Sequence, residues 1–433
     1  MKTKLISLFA IVLLTSMLIA SCAPAPTEAP EPTAVPATEA PAATEAPATE
    51  APKPPAPEFI ELGASIPLTG NFGSLGNMVL PGYEFAVADI NADGGVYVEE
   101  YGVKVPLRLT YYDDESDPTK AVSKLETLFS EQDVTAYLGG AGSSMHAAAS
   151  AIAEKNQVPY CGIAFALNKI HQQGYKYLFS PFPKSPQQAK DTFAILNAAI
   201  PEGERPTKVA IFSYSDDWGK ELGDLWEQEA AANGYEVVVR GENPVGVNDW
   251  SDSILKAKAA GAEVLLSLPI FPDGSGMFKT MAELGWTPKY SLVIRAPEGV
   301  NWGESMGTIG DYVTIFPGWH NGEKFEGVAE LNAAYEAKFG RPADLLTGPA
   351  YACVQLFAAA IEKAGTLDRE AVRDAMASID TNTVIGPVTF NEDGTGNVLN
   401  PLIQWQNGKL ELVWPPEQAT KDFVYPAPPF EER

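Results

Sequence analysis

The sequence predicts an α/β protein of two lobes, each a parallel sheet covered by helices. Three observations carry that expectation. From Phe59 onward, short apolar runs of strand length alternate with amphipathic stretches of helix length. The number of such units, about nine, exceeds what one modest sheet accommodates. Two proline-bearing segments, Ser180-Pro181-Phe182-Pro183 and Phe316-Pro317-Gly318, break the pattern where a chain would pass between lobes.

The strand candidates are 61–66, 107–112, 134–138, 158–163, 208–213, 236–240, 264–268, 291–294 and 312–316, each an apolar or β-branched run bounded by polar or turn residues. Helices are expected between them, over 82–91, 120–131, 144–156, 187–199, 219–233, 250–260, 277–284, 325–339 and 349–364. In the second of these, Val122, Leu125, Leu128 and Phe129 fall on one face at helical spacing. Strand–helix alternation implies parallel pairing, and in open parallel sheets a ligand sits beyond the carboxyl ends of the strands. Two lobes facing each other place that position in the cleft between them.

The amino terminus reads as a targeting segment. Lys2 and Lys4 precede the apolar run 5–20, which is short for a membrane span and ends in Ile19-Ala20-Ser21-Cys22. This resembles a bacterial lipobox, which implies a signal peptide over 1–21 and lipid attachment at Cys22. The alternative is an ordinary secretory signal cut near Ala20. Residues 22–58 are dominated by Pro, Ala, Thr and Glu, and Thr-Glu-Ala-Pro recurs at Thr27, Thr38, Thr44 and Thr49. Such a segment lacks apolar bulk for a core and is expected to be an extended tether. At roughly 3.1 Å per residue it reaches at most about 110 Å. Cys161 and Cys353 lie far apart in sequence, in apolar runs, and are expected to be buried free thiols, although pairing is open to them in a secreted protein.

The chain carries 30 basic and 56 acidic residues, a formal charge of −26. That balance repels nucleic acid and anionic lipid and argues against both as partners. No Walker loop, G-x-G-x-x-G or C-x-x-C is present, and His146, His171 and His320 have no metal-ligand spacing. Neither catalytic residues, a metal nor a cofactor is expected, and a tethered hydrolase is disfavoured. Asp113-Asp114 reads as a solvated loop before a helix that Asp117 caps and Pro118 begins. One stretch does suggest binding: a strand, then Gly139-Gly140-Ala141-Gly142-Ser143-Ser144, then an Ala-rich helix. Serine hydroxyls and free N–H groups at a helix start suit a carboxylate, or else the serines merely cap the helix.

Several motifs, in order, resemble the leucine/isoleucine/valine-binding family of ABC-transporter solute-binding proteins. They are Ile66-Pro67-Leu68-Thr69-Gly70, Asp89-Ile90-Asn91-Ala92-Asp93-Gly94-Gly95-Val96, Tyr112-Asp113-Asp114-Glu115-Ser116-Asp117-Pro118, Trp218-Gly219, Pro297-Glu298-Gly299-Val300 and Thr383-Val384-Ile385-Gly386-Pro387-Val388-Thr389-Phe390. The resemblance implies the type I periplasmic binding protein fold, with two Rossmann-like lobes joined by three crossings. It also implies no enzymatic activity and presentation of the closed form to ABC permease subunits, and a monomer is expected. The lobes are expected over 59–181 with 318–388, and 182–317 with 389–415, followed by a tail over 416–433.

Carried over position by position, the resemblance puts the serine that binds an amino acid α-carboxylate at Ser143. The carbonyl that receives the α-ammonium falls at Ala164, and the acid facing it at Glu298. A threonine that contacts both groups is replaced by Ala166. Aromatic pocket positions fall at Trp218, Phe271 and Leu75. Ser116 and Gly142 occupy positions where some relatives have a disulfide, so that bridge cannot form. The implied ligand is a small polar solute, foremost a hydrophobic or aromatic amino acid, with Trp218 suited to face a cation. The alternatives are a tethered ligand sensor, or a binding protein for an amide, urea or aromatic acid.

Overall fold

The computed structural model describes residues 53–247, 249–299 and 301–433. Cys22, the signal segment and the tether up to Pro52 lie outside the described residues. The chain first runs β1 (Ile60–Ile66), α1 (Gly73–Ala92), β2 (Val96–Val98), β3 (Val103–Val105), β4 (Leu107–Asp113), α2 (Pro118–Gln132), β5 (Ala136–Leu138), α3 (Ser143–Asn156), β6 (Tyr160–Cys161) and β7 (Leu178–Phe179). It continues through α4 (Ser185–Ala199), β8 (Lys208–Tyr214), α5 (Asp217–Ala232), β9 (Glu236–Asn243), α6 (Ser251–Ala259), β10 (Val264–Ser267), α7 (Phe271–Glu283), β11 (Tyr290–Val293), α8 (Asn301–Met306) and β12 (Val313–Ile315). It ends with α9 (Val328–Phe339), α10 (Thr347–Ala364), α11 (Arg369–Ala377), β13 (Asp380–Thr383), β14 (Gly386–Phe390), β15 (Gly396–Asn397), β16 (Leu402–Gln406) and β17 (Lys409–Trp414).

Two principal sheets result. The first is all parallel, in the order β4-β1-β5-β6-β7. The second has the order β17-β16-β12-β11-β10-β8-β9, parallel from β12 to β9 and antiparallel at the β16–β17 edge. Every residue of β1 is buried, as a central parallel strand covered on both faces requires. Tyr83 of α1 and Leu356 and Phe357 of α10 belong to the core cluster that covers it. A second cluster runs from Leu125, Tyr137 and Phe165 through Phe193 and Trp226 to Ile211 and Leu292, so apolar packing is continuous between the two sheets.

The chain passes between the sheets three times: after β7, after β12 and after β15. The crossings lie side by side. Ser180 N–H donates to Gly394 O at 2.9 Å, and Gly396 N–H donates to Ser180 O at 2.9 Å. Gly318 has φ +85°, and a Cβ there would lie 2.7 Å from the Phe182 ring. Glycine is required at that position both by the left-handed backbone and by the close approach of the first crossing.

Each strand candidate from 61–66 to 312–316 overlaps an observed strand. Helix α1 begins nine residues before the expected 82–91, running through Gly73, Gly76 and Pro81, which have low helix propensity. Here Gly82 serves packing, since a Cβ would come within 2.3 Å of Thr347 O on α10. Asp117 accepts N–H bonds from Thr119 and Lys120, with Pro118 at the first helical position, as expected. Asp114 departs from the expected solvated loop: it is buried, accepts from Ser65 Oγ at 3.0 Å, and burial pushes its carboxyl up to about 6. The segment after β17 docks on the second sheet's side of the molecule. Gln404 Nε2 donates to Val424 O, Ala427 N–H donates to Lys289 O, and Arg433 donates to Ile309 O and Asp311 O.

The expectation of free thiols is overturned. Cys161 and Cys353 form a disulfide. The chain returns to the first lobe through α10, which brings Cys353 beside the end of β6 across a sequence separation of 192. Neither local run encodes that return. Closing so long a loop restricts the unfolded chain, so Cys353→Ala should lower the unfolding free energy by roughly 2–5 kcal/mol. Denaturant unfolding with and without reductant checks this, and identical midpoints would contradict it.

Candidate functional site

Helix α3 follows β5 through a glycine turn. Gly142 has φ +95°, and a Cβ there would press on the Phe72 ring at 3.0 Å, so glycine both shapes the turn and admits Phe72. Ser143 is the first residue of α3 and is buried. The opening N–H groups of a helix have no intrahelical acceptor, and the dipole favours negative charge there. No side chain caps this end.

After β6, Ala164 has φ +56° and its carbonyl accepts the Gly142 N–H at 3.1 Å. The Ala166 carbonyl accepts both N–H and Oγ–H of Ser185, which opens α4. Trp218 Nε1–H in turn donates to Ser185 Oγ at 3.2 Å. Ala166 is therefore tied to α4 through its backbone, with Trp218 braced against the same serine.

Ser143, Ala164, Ala166, Trp218, Glu298 and Leu75 all line one cavity of about 30 Å³. The elements that supply them follow β1, β5, β6, β8 and β11, at the carboxyl ends of strands in both sheets. Phe165, Phe182 and Phe316 complete an aromatic wall. Phe165 is held from several sides: its ring stacks on His146 at 4.2 Å and on His171 at 5.7 Å, and Lys184 Nζ sits 3.5 Å from its centroid while donating to its carbonyl. Burial holds both histidines down to about 3, so they are neutral aromatic plates here. Phe271 is not in this cavity. It opens α7, turns an edge-on face to Trp302 at 6.4 Å, and lines a neighbouring cavity of about 20 Å³ with Leu75 and Arg295.

Glu298 is buried, and its Oε1 accepts the Arg295 N–H at 2.9 Å. Burial pushes its carboxyl up to about 7. On its far side lies a groove of about 470 Å³ lined also by Glu304, Arg341, Asp344, Lys409 and Glu411.

Two residues of the cavity were not anticipated from sequence. Gln188 of α4 is buried, and its side-chain oxygen has no hydrogen-bond partner. Arg295 has φ +79° and ψ −65°, the geometry of a tight γ-turn that non-glycine residues rarely adopt. The bond from its N–H to Glu298 fastens that turn. Its guanidinium lies 4.1 Å over the Trp218 ring and 5.6 Å from the Phe72 centroid, so it spans from one lobe to the other. The cation facing Trp218 is thus the protein's own. A polar residue between an apolar strand and a proline carries no sign in sequence of which way it turns. The only available hint was its place at a strand's carboxyl end.

Comparison with known proteins agrees with this geometry. The sequence model of a family described as periplasmic binding protein matches residues 60–409. Leu/Ile/Val-binding protein homolog 7 of Brucella abortus is 25% identical over 389 residues, covering 86% of this chain and 95% of the relative. The crystal structure of the leucine-binding protein LivK from Thermotoga maritima superposes with a TM-score of 0.73 at 20% identity, covering 82% of this chain and 97% of that one. A solute-binding protein of R. palustris, solved in complex with benzoate, gives a TM-score of 0.69 at 18% identity, covering 82% and 95%. At these identities the two structures establish the fold, the type I periplasmic binding protein architecture.

A buried carboxyl with a raised titration point favours its protonated form in the folded state. It contributes stability below about pH 4.5, and that contribution is lost as pH rises through about 7. Glu298→Gln keeps the acceptor for Arg295 N–H and removes the titration. The variant should gain on the wild type between pH 5 and 8 by on the order of 3 kcal/mol. Urea unfolding at both pH values checks this, and parallel stability curves would contradict it.

Proposed function

The chain belongs to the family of periplasmic binding proteins, and we propose that it captures a hydrophobic or aromatic amino acid between its lobes as the extracytoplasmic binding component of an ABC importer. The observation that carries this reading is that Ser143 and Glu298, which stand after strands of different sheets, line one cavity. Ser143 and the start of α3 suit an α-carboxylate, and Glu298 with the Ala164 carbonyl suits an α-ammonium. A zwitterion bound by both lobes favours their closed arrangement over any open one, which is how a ligand shifts a conformational equilibrium. The permease then reads the closed form. The likeness to a leucine-binding protein supports an amino acid, and the aromatic wall supports an apolar side chain.

A second reading, an aromatic acid without an amino group, is favoured by the benzoate complex of the R. palustris neighbour. Both readings describe a binding protein rather than an enzyme. The family places the chain outside the cytoplasm, and no described helix is long and apolar enough to cross a membrane. We assign the remaining features in the same frame. The signal occupies 1–21, Cys22 carries the lipid, 22–58 form the tether, and the lobes comprise 59–181 with 318–388 and 182–317 with 389–415. The monomer is the functional form. Cys22→Ala should move the protein from the membrane fraction to the soluble extracytoplasmic fraction, and unchanged membrane association would remove the anchor.

A thermal-shift screen against amino acids, amides, urea, polyamines, aromatic acids and sugars tests the ligand class. A ligand at 100 times its dissociation constant adds about 2.7 kcal/mol of stability. Ser143→Ala should weaken the best amino acid by about 1–3 kcal/mol. Stabilisation by sugars or polyamines alone would contradict this reading.

A further inference from the structure

We propose that Arg295, with Gln188 beside it in the cavity wall, receives the carboxylate of the solute from the second lobe, so that the cleft accepts apolar and aromatic carboxylates whether or not they carry an α-ammonium. This rests on the binding-protein reading above and specifies its ligand class.

Four observations carry it. The Arg295 guanidinium lines the cavity, and among the described residues it forms no salt bridge, the Asp216 and Glu298 carboxylates acting on it only at longer range. In a chain with almost twice as many acids as bases, a guanidinium in the cavity wall that no carboxylate contacts suits an anion from elsewhere. Its position is fixed, by the Trp218 face on one side and the left-handed turn fastened to Glu298 on the other. Its span toward Phe72, which underlies Gly142, brings it to the side of the cleft where α3 begins. A single carboxylate between them receives N–H and hydroxyl donors from Ser143 on one lobe and a guanidinium fork from the other.

Gln188 is the second unsatisfied group. A buried amide oxygen without a partner is uncommon in a native protein. Turned about its last bond, the side chain presents N–H to the same carboxylate. Together these donors stand in for the hydroxyl that Ala166 lacks.

The charge balance explains why the ammonium is dispensable. Burial favours the neutral form of Glu298 and leaves Arg295 as the fixed charge of the cavity. A monoanion neutralises that charge outright. A zwitterion restores the same balance only once Glu298 has lost its proton.

Calorimetric titration of the purified protein tests the assignment with leucine, phenylalanine, benzoate, 3-phenylpropionate and the uncharged 3-phenylpropionamide. At least one amine-free carboxylate is expected to bind within about tenfold of the best amino acid, and the uncharged amide more than about tenfold weaker than its acid. Arg295→Gln should weaken every carboxylate by about 10–100-fold, Arg295→Lys should recover part of the loss, and Gln188→Leu should cost less than Arg295→Gln. Thermal melts of the variants establish that they fold, and the lysine variant keeps the test decisive if the glutamine variant does not. Amino acids bound equally well by wild type and Arg295→Gln, or bound while every amine-free acid is rejected, would overturn this assignment and leave the amino acid reading standing. A wild type that binds neither class would overturn both.

Discussion

The arrangement depends on three chain crossings packed against one another. Ser180 is hydrogen-bonded to the Gly394–Gly396 segment, and Gly318 lies against Phe182, so the two sheets are joined along one side by a narrow backbone layer. Everything on the open side faces a cleft formed by the carboxyl ends of strands from both sheets. Because those ends carry the loops with free N–H groups and unusual backbone angles, the polar binding groups gather there. The apolar packing that continues behind the crossings keeps the two halves in register without filling the cleft.

Within the cleft, apolar walls and a few polar groups divide the work. Phe165, Phe182, Trp218 and Phe316 exclude water, which strengthens each polar contact made inside. The polar groups occur where the backbone is forced into unusual shapes: Gly142, Ala164 and Arg295 all have positive φ. Such positions persist only where surrounding structure holds them, and here each is held by a specific bond. Gly142 N–H meets the Ala164 carbonyl, and Arg295 N–H meets Glu298.

Much of the fold was legible because central parallel strands must be apolar on both faces. β1, β8, β10 and β11 announce themselves for that reason, and their alternation with amphipathic helices implies two covered sheets. Beyond β16 and β17, which are apolar but lie past the last expected strand, several of the strands that went unseen are short or polar. β2 and β3 have three residues each, and β13 reads Asp-Thr-Asn-Thr because it belongs to a small antiparallel sheet with water on one side. Pairing of Cys161 with Cys353 was hidden because it depends on where α10 returns, a long-range fact that local patterning does not contain. In the site, Ser143 could be read from its glycine turn, whereas Glu298 needed the family resemblance. Arg295 and Gln188 were invisible, since an arginine after a strand or a glutamine on a helix is usually solvated. Only the packing of Trp218 and the burial of α4 turn them inward.

The most direct test is a crystal structure of the protein grown with the tightest ligand from the binding screen. The account predicts one solute molecule between the lobes, its carboxylate within hydrogen-bonding distance of both Ser143 and the Arg295 guanidinium, and its apolar body against Trp218 and Phe165. A solute seated instead in the groove of about 760 Å³ beside Pro387 and Gln418, or in the cleft with its carboxylate turned away from both residues, would contradict it.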